Sequence, residues 1–256
     1  MNRSQLKYYS SLLTKSARDS ENKFLVEGEK LIIEALNSEW ECETIIVRKD
    51  YLANHQPVQK ELQKFVNKFE EISEKEFRKI QATENSQGII GVFKKPIFKH
   101  SSENIREKLF IGLDEINDPG NVGTIFRNAD WFGLKYLLLS ANCADVLNPK
   151  TLRASAGSIF HLNWAVIKNY YDTITSYKHK GYKVLCADIS GTNIYNFKKS
   201  DKNILIFSNE ANGPSNELLK LSDEIITIPR KGKAESLNVA SASAVILSEL
   251  TKYPRI

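Results

Sequence analysis

Asp118-Pro-Gly-Asn-Val-Gly-Thr-Ile-Phe-Arg-Asn-Ala-Asp-Trp-Phe-Gly133 decides how this chain is read. The apolar run before it, Leu109-Phe-Ile-Gly-Leu113, has the character of a buried strand. Asp118-Pro119-Gly120 is a turn signal, because proline presets φ and glycine admits conformations that other residues resist. Asn121 is then predicted to cap a helix starting at Val122, with Ile125, Phe126, Ala129 and Phe132 spaced along its apolar face. Arg127 is its conspicuous charge, and Gly133 stands where a C-terminal cap belongs. A strand, a glycine-bearing turn and a helix N-terminus make a natural site for an anion or polar ligand. Pro-Gly-Asn by itself suits an ordinary strand-to-helix connection equally well.

The 256 residues predict two domains. With 41% hydrophobic and 26% charged residues, the composition predicts a packed core rather than disorder. A net charge of +5 is compatible with a nucleic-acid partner without requiring one. Cys42, Cys143 and Cys186 are widely separated, which fits neither a zinc site nor a disulfide framework and points to a reducing cytoplasm. Four scattered histidines argue against a bound catalytic metal. No apolar run approaches the roughly 20 residues of a membrane span, so the expectation is a soluble cytoplasmic protein.

Residues 1–20 read as a helical or partly ordered leader, and Phe24–Leu36 has helical spacing. Thr44–Val47 reads as a strand, Val58–Phe69 as an amphipathic helix, Ser73-Glu-Lys-Glu76 as a capping box, and Gly88–Phe93 as a closing strand. Proline, charge and serine in Lys94–Asn104 break this pattern. The expected division is therefore residues 1–95, a linker at 96–108, and residues 109–256. In the last part, strands are predicted at Leu109–Leu113, Tyr136–Leu139, Leu162–Val166, Val184–Ala187, Ile204–Phe207 and Glu224–Ile228, with a final helix over Leu237–Leu250. Strands alternating with helices imply an α/β fold with a mainly parallel sheet covered on both faces.

Three further clusters punctuate this half. Arg153-Ala-Ser-Ala-Gly157 has small residues that suit close helix packing. After a predicted strand, Ser208-Asn209-Glu210-Ala-Asn-Gly213 forms a polar loop, and Ser215 with Glu217 marks the next helix start. Ile228-Pro-Arg-Lys-Gly-Lys-Ala-Glu-Ser-Leu-Asn-Val239 joins the last strand to the last helix, with Ser236 as the natural cap and Asn238 early in an apolar helix. Loops at the carboxyl ends of parallel strands are where open α/β sheets hold ligands. Neither a Gly-x-Gly-x-x-Gly dinucleotide fingerprint nor a P-loop occurs.

Together the clusters resemble the SpoU (TrmH-type) branch of the SPOUT methyltransferases. Asp118–Arg127 with Gly133, Asn209–Gly213, and Ile228-Pro229 with Gly232 and Glu235–Val239 match its three motifs in order. The first 95 residues resemble the family's substrate-binding domain of ribosomal-protein L30e type, around Val26–Glu29 and Ser86–Gly88. Two positions depart from the family pattern: Ser208, where glycine is usual, and Arg230, where methionine is usual.

The resemblance implies methylation of a ribose 2′-hydroxyl in structured RNA, with S-adenosylmethionine as donor and no metal. It also implies a trefoil knot in the C-terminal domain and a homodimer whose interface builds the site. By family position, Ser208, Asn209, Gly213, Ile228, Gly232 and Leu237 are the expected cofactor contacts. Asn121, Arg127, Glu210, Ser236 and Asn238 are expected to line the reacting centre. The family proposal makes Arg127 the general base. Because a guanidinium stays protonated, Arg127 can instead grip a substrate phosphate and stabilise the developing alkoxide. Ribosomal RNA is the favoured substrate; a tRNA methyltransferase, a non-catalytic RNA-binding relative and an α/β enzyme acting on an anionic metabolite are the alternatives.

Overall fold

The computed structural model describes residues 1–51, 62, 69–96, 105–210 and 212–252. They form two compact units, Met1–Ile97 with Asp145–Phe160, and Phe98–Ala144 with His161–Ile256. Residues 109–256 are thus shared between the units, because Asp145–Phe160 packs with the N-terminal residues.

The first unit opens with helices α1 (Arg3–Ser11) and α2 (Lys15–Glu21), so the leader is helical. Strand β1 (Lys23–Glu27) and helix α3 (Glu29–Leu36) follow, which corrects the single helical reading of Phe24–Leu36. Gly28 between them has φ +101°, a conformation that separates strand from helix and that side chains resist. Strands β2 (Cys42–Arg48), β3 (Phe69–Ile72) and β4 (Ile89–Lys94) complete a sheet of order β1-β4-β2-β3, parallel only between β2 and β3. Ser73 caps the short helix α4 (Glu74–Phe77) through the expected capping box. The predicted helix Val58–Phe69 falls almost wholly outside the described residues, as do positions 97–104 of the predicted break.

Leu6, Tyr9 and Leu12 pack with Leu25, Ile46, Ile90 and Val92 to form one core of this unit. Helix α6 (Pro149–Ser155; α5, Pro119–Trp131, lies in the second unit) packs against β1, and Phe160 meets Trp40 edge-to-face at 5.1 Å. Arg18, only 2% exposed, donates from Nε to Asp145 at 3.0 Å and from Nη2 at 2.5 Å, and from Nη1 to the carbonyls of Leu12 and Leu13. The small residues of Arg153–Gly157 serve packing: a Cβ on Gly157 (φ +103°) would sit 2.7 Å from Cγ of Glu34.

The second unit is a six-stranded sheet of order β10-β8-β9-β5-β6-β7, parallel throughout. Its strands are β5 (Leu109–Asp114), β6 (Tyr136–Ser140), β7 (Asn163–Ile167), β8 (Lys183–Asn193), β9 (Asn203–Ser208) and β10 (Glu224–Thr227). Helices α5 (Pro119–Trp131), α7 (Tyr170–His179), α8 (Asn216–Leu221) and α9 (Val239–Thr251) connect or follow them. The six predicted strands and the alternating α/β pattern are therefore all present. Central strands β5 and β9 are almost completely buried, as near-continuous apolar runs require between two helical layers. Strand β8 runs beyond its predicted end: its pairing with β10 jumps from Cys186 to Thr192, so Ala187–Gly191 bulges out. No described helix is long and apolar enough to cross a membrane.

Candidate functional site

The site begins with strand register. Asp114 pairs with Ser208 across β5 and β9, so the loops leaving the two strands emerge side by side. Glu115, the first residue past β5, is held at φ +56°, unusual for a non-glycine residue. Its N–H donates to Ser140 Oγ at 2.9 Å, and its carbonyl accepts from Asn209 Nδ2 at 3.0 Å. Such a conformation persists where the surroundings over-determine it, as these bonds on both sides do. Asn209 also organises its own loop: Oδ1 accepts from Asn212 N at 3.2 Å and its carbonyl accepts from Gly213 N at 3.0 Å. Gly213 has φ +65°, a left-handed turn position that suits glycine.

Asp118, not Asn121, caps α5: its side chain accepts from Asn121 N at 3.0 Å, with Pro119 at the first helical position. Proline is tolerated there because that N–H has no helical partner anyway, so the turn signal starts the helix three residues earlier than predicted. The C-terminal reading holds, with Phe132 as the cap and Gly133 at φ +76° beyond it. With Asp118 as cap, the Asn121 side chain is released for another task.

That task is a three-residue cluster. Glu210 Oε1 accepts from Asn121 Nδ2 at 2.6 Å, Val239 N at 2.9 Å and Asn238 Nδ2 at 3.2 Å. Asn238 Nδ2 also donates to Asn121 Oδ1 at 3.0 Å. Asn238, not Ser236, caps α9, its Oδ1 accepting from Ala240 N at 2.9 Å and Ser241 N at 3.3 Å. It is exposed at the helix start rather than buried inside the helix. A carboxylate at a helix N-terminus is favoured by the unpaired N–H groups and the positive end of the helix dipole. Glu210 thereby joins the loop after β9 to α5 and α9, and all three motifs meet on one oxygen.

Asn128, two turns beyond Asn121 on the same stripe of α5, donates to Ala240 O and Ser243 Oγ, both at 2.8 Å. Sequence reading missed this second tie, whose signal was the seven-residue spacing from Asn121. Arg127 lies about 100° round the helix from Asn128 and is exposed; no hydrogen bond or ion pair engages it among the described residues. Ser236 is likewise exposed and joins no hydrogen bond among those residues.

The far end of the β9 loop is anchored from beneath. Asp114, 4% exposed, accepts from Tyr171 Oη at 2.8 Å. Tyr171 Oη also lies 2.9 Å from Ser215 Oγ, and Ser215 caps α8 as predicted. Burial raises the Asp114 carboxyl, against the lowering pull of hydrogen bonds from Tyr171 and Ser140. Burial is also the main reason Tyr171 is pushed up to about 12. Neither residue carried a local sequence signal, because their partners come from other strands and helices.

Of the expected cofactor contacts, Ser208 ends β9 buried, while Asn209 and Gly213 shape the loop after it. Ile228 follows β10 half-buried. Gly232 is exposed, with space around a built Cβ, and Leu237 is 52% exposed. The β8 bulge adds residues that sequence reading did not single out. Thr227 Oγ1 donates to Ile189 O at 3.1 Å, Ile189 is 73% exposed, and Asp188 Oδ2 lies 3.8 Å from a Cβ built on Gly213. The β8 bulge and the segments after β9 and β10 thus share one edge and combine exposed apolar groups with backbone and carboxylate acceptors. Among the described residues no group of three or more His, Cys, Asp or Glu could hold a metal ion. Burial pushes the Cys42 and Cys186 thiols up to about 11 and 12, so neither supplies a thiolate near neutral pH.

Residues 108–248 match the SpoU rRNA Methylase family, and residues 3–91 match the MRM3-like substrate binding domain. The 23S rRNA (guanosine(2553)-2′-O)-methyltransferase RlmP of Bacillus subtilis is 35% identical over 247 residues, 96% of this chain and 95% of its own length. The SpoU methyltransferase AviRb of Streptomyces viridochromogenes, solved in complex with AdoMet, superposes with a TM-score of 0.85 at 26% identity, over 98% of this chain and 97% of its own. An AdoMet-bound rRNA methyltransferase from Sinorhizobium meliloti gives a TM-score of 0.83 at 28% identity, over 96% and 94% of the two chains. With its three motifs gathered on Glu210 at one edge of a parallel sheet, the chain belongs to the SpoU rRNA Methylase family.

Proposed function

We propose that this protein methylates a ribose 2′-hydroxyl in structured RNA, ribosomal RNA in preference to tRNA, as a cytoplasmic homodimer that uses S-adenosylmethionine. The observation that carries the reading is the Glu210 oxygen shared by Asn121, Asn238 and Val239, which fixes the carboxyl edge of the sheet as a single polar wall. When bound, S-adenosylmethionine supplies an electrophilic methyl group on a sulfonium. The residues present fit such a molecule: Ile189 and Leu237 offer apolar surface to a purine, and Asp188 offers a carboxylate to polar and cationic groups. Ser208, Asn209, Gly213, Ile228 and Gly232 are the other proposed contacts, and the C-terminal unit that holds them is proposed to be knotted.

The chemistry asked of the chain is alignment and charge stabilisation, and ideal alignment alone contributes roughly 7–11 kcal/mol to such a displacement. Asn121 and Asn238, fixed through Glu210, hold the wall. Ser236, at its exposed rim, is proposed to contact the ribose. Arg127, a donor with no hydrogen-bond or ion-pair partner among the described residues, binds the substrate phosphate and stabilises the alkoxide left when the 2′-hydroxyl gives its proton to solvent water. Trp131, one turn beyond Arg127 and 83% exposed, is proposed to lie in the homodimer interface, where aromatic side chains are enriched. Residues 1–95 are proposed to bind RNA and residues 109–256 to carry out the transfer.

The test is incubation with methyl-labelled S-adenosylmethionine and deproteinised ribosomal RNA or tRNA, followed by mapping of the label. Label on a ribose oxygen of ribosomal RNA is the expected result. Label on bases, or in tRNA alone, would overturn the reading.

A further inference from the structure

The amino edge of the parallel sheet, opposite the Glu210 cluster, carries a row of lysines. Strand β8 begins at Lys183, while Lys202, Lys108 and Lys135 immediately precede β9, β5 and β6. These four strands are consecutive neighbours in the sheet. Lys183 N donates to Lys202 O and Asn203 N donates to Lys108 O, and the strand pairings set Lys183 level with Asn203 and Lys135 level with Leu109, so the four lysines lie within one residue of a common level. With strands about 4.8 Å apart, the row spans about 14 Å.

All four lysines are exposed, and none makes an ion pair among the described residues. Lys202 has its ammonium 5.4 Å from the centroid of the buried Tyr182 ring, and at the end of α7 Lys180 lies likewise 4.9 Å from the Tyr177 ring. Arg106 adds a further exposed cation. The carboxylates interspersed in these segments are Glu107 and Asp201. Asp223 beside them is already engaged, by Lys178 at 3.0 Å and by Val184 N at 2.8 Å. The carbonyl end of α7 accounts for Lys178 and Lys180, but Lys108, Lys183 and Lys202 start strands and have no such reason to gather.

We infer that this row is a second RNA-docking surface, which grips the phosphate backbone of the substrate outside the reacting site. The inference rests on the reading of the protein as an RNA methyltransferase. Long cations gathered along one edge, with no ion-pair partner among the described residues, suit a polyanion whose charges repeat along a line, and they carry no base-specific geometry. The β5 strand separates the row from the carboxyl edge by about 17 Å. No single nucleotide reaches both edges, whereas a folded RNA does.

The test titrates deproteinised ribosomal RNA against wild-type protein and the quadruple Lys108→Gln, Lys135→Gln, Lys183→Gln, Lys202→Gln variant across a salt series. S-adenosylmethionine affinity and Tm are measured alongside. The variant is expected to bind RNA at least tenfold more weakly at low salt. The slope of log affinity against log salt should flatten by about 2–3, because each single-strand phosphate that a lysine neutralises accounts for about 0.7. Cofactor affinity and Tm are expected to stay unchanged. An unchanged RNA affinity and slope would overturn the proposal and leave the row to an acidic protein partner. If the quadruple variant melts lower, the four single variants decide, each expected to flatten the slope by about 0.7 and each contradicting the proposal if it does not. Wild-type protein that binds cofactor but no RNA at any salt would refute the methyltransferase reading itself.

Discussion

Residues 209–215 leave β9 and residues 228–238 leave β10 at the same edge of the parallel sheet, and they are built in opposite ways. Among its described residues the first segment is bound at both ends: Asn209 to Glu115, Glu210 to three donors, Gly213 to Asn209, and Ser215 to Tyr171. In the second, every residue from Arg230 to Asn238 is exposed. Before Asn238 its hydrogen bonding from Arg230 onward, among the described residues, is a single bond from Arg230 Nη1 to Ala234 O at 3.2 Å. One wall is therefore preorganised, and the other lies among the parts of a fold that open most readily. A ligand that covers Leu237 and orders this segment offsets part of its own binding free energy by doing so. We propose that the fixed wall sets geometry and that the exposed segment sets how tightly and how fast the ligand is held.

If that division is right, substitutions in the two regions separate turnover from affinity. The largest effect is expected at Arg127, which projects from the fixed wall without contributing to it. Arg127→Ala should lower turnover at saturating substrate by about 10²–10³, the usual loss for one donor to a developing oxyanion. Its Tm should match the wild type, because the side chain has no partner among the described residues to lose; near-normal turnover in single-turnover assays would remove Arg127 from the chemistry. Glu210→Ala comes next. It strands three donors, two at the start of α9 and one on α5, so both turnover and Tm should fall, the latter by about 2–4 °C for each kcal/mol lost. Glu210→Gln keeps an acceptor and should recover most of the Tm. A variant with full turnover and a lowered Tm would mean that the wall is scaffold only.

The same contrast explains what was legible in the sequence. Strand runs such as Leu109–Leu113 and Ile204–Phe207 were readable because a strand buried on both faces must be apolar throughout. The β1–Gly28–α3 junction was not, because Leu31, Ile32 and Leu36 impose a helical period while the short strand before them lies next to β4. Both cap misreadings have one cause. Asp118 and Asn238 displaced Asn121 and Ser236 as caps, and propensity cannot choose between neighbouring polar residues that would each serve. That choice made the site, since it freed Asn121 to meet Glu210. Residues with long-range partners, Tyr171 and Asp114 among them, left no local trace. The family motifs identified Glu210, but only the register of β5 against β9 explains why it reaches α9.

Smaller effects probe the comparison more finely. Asn238→Ala removes the α9 cap and one of the three Glu210 donors, and should cost about 1 kcal/mol, seen as a Tm lower by about 2–4 °C. Asn238→Asp keeps a capping oxygen but sets a second carboxylate beside Glu210. It should therefore restore less of the Tm at pH 7 than at a pH low enough to neutralise one of the two.

The smallest and cleanest contrast sets Gly213 against Gly232, one glycine from each segment. At Gly213 the backbone is left-handed, so Gly213→Ala should cost about 1–2 kcal/mol whatever space surrounds it. A Cβ on Gly232 would meet nothing within 4 Å and its φ is not in the left-handed range, so Gly232→Ala should leave Tm within about 1 °C. If the exposed segment acts by folding over its ligand, Gly232→Ala also restricts the free ensemble, and should change the dissociation rate of S-adenosylmethionine while the stability of the free protein stays the same. Stopped-flow release measured on both variants decides the matter. A change in release confined to Gly213→Ala would mean that the fixed loop, not the exposed one, governs how long the ligand stays.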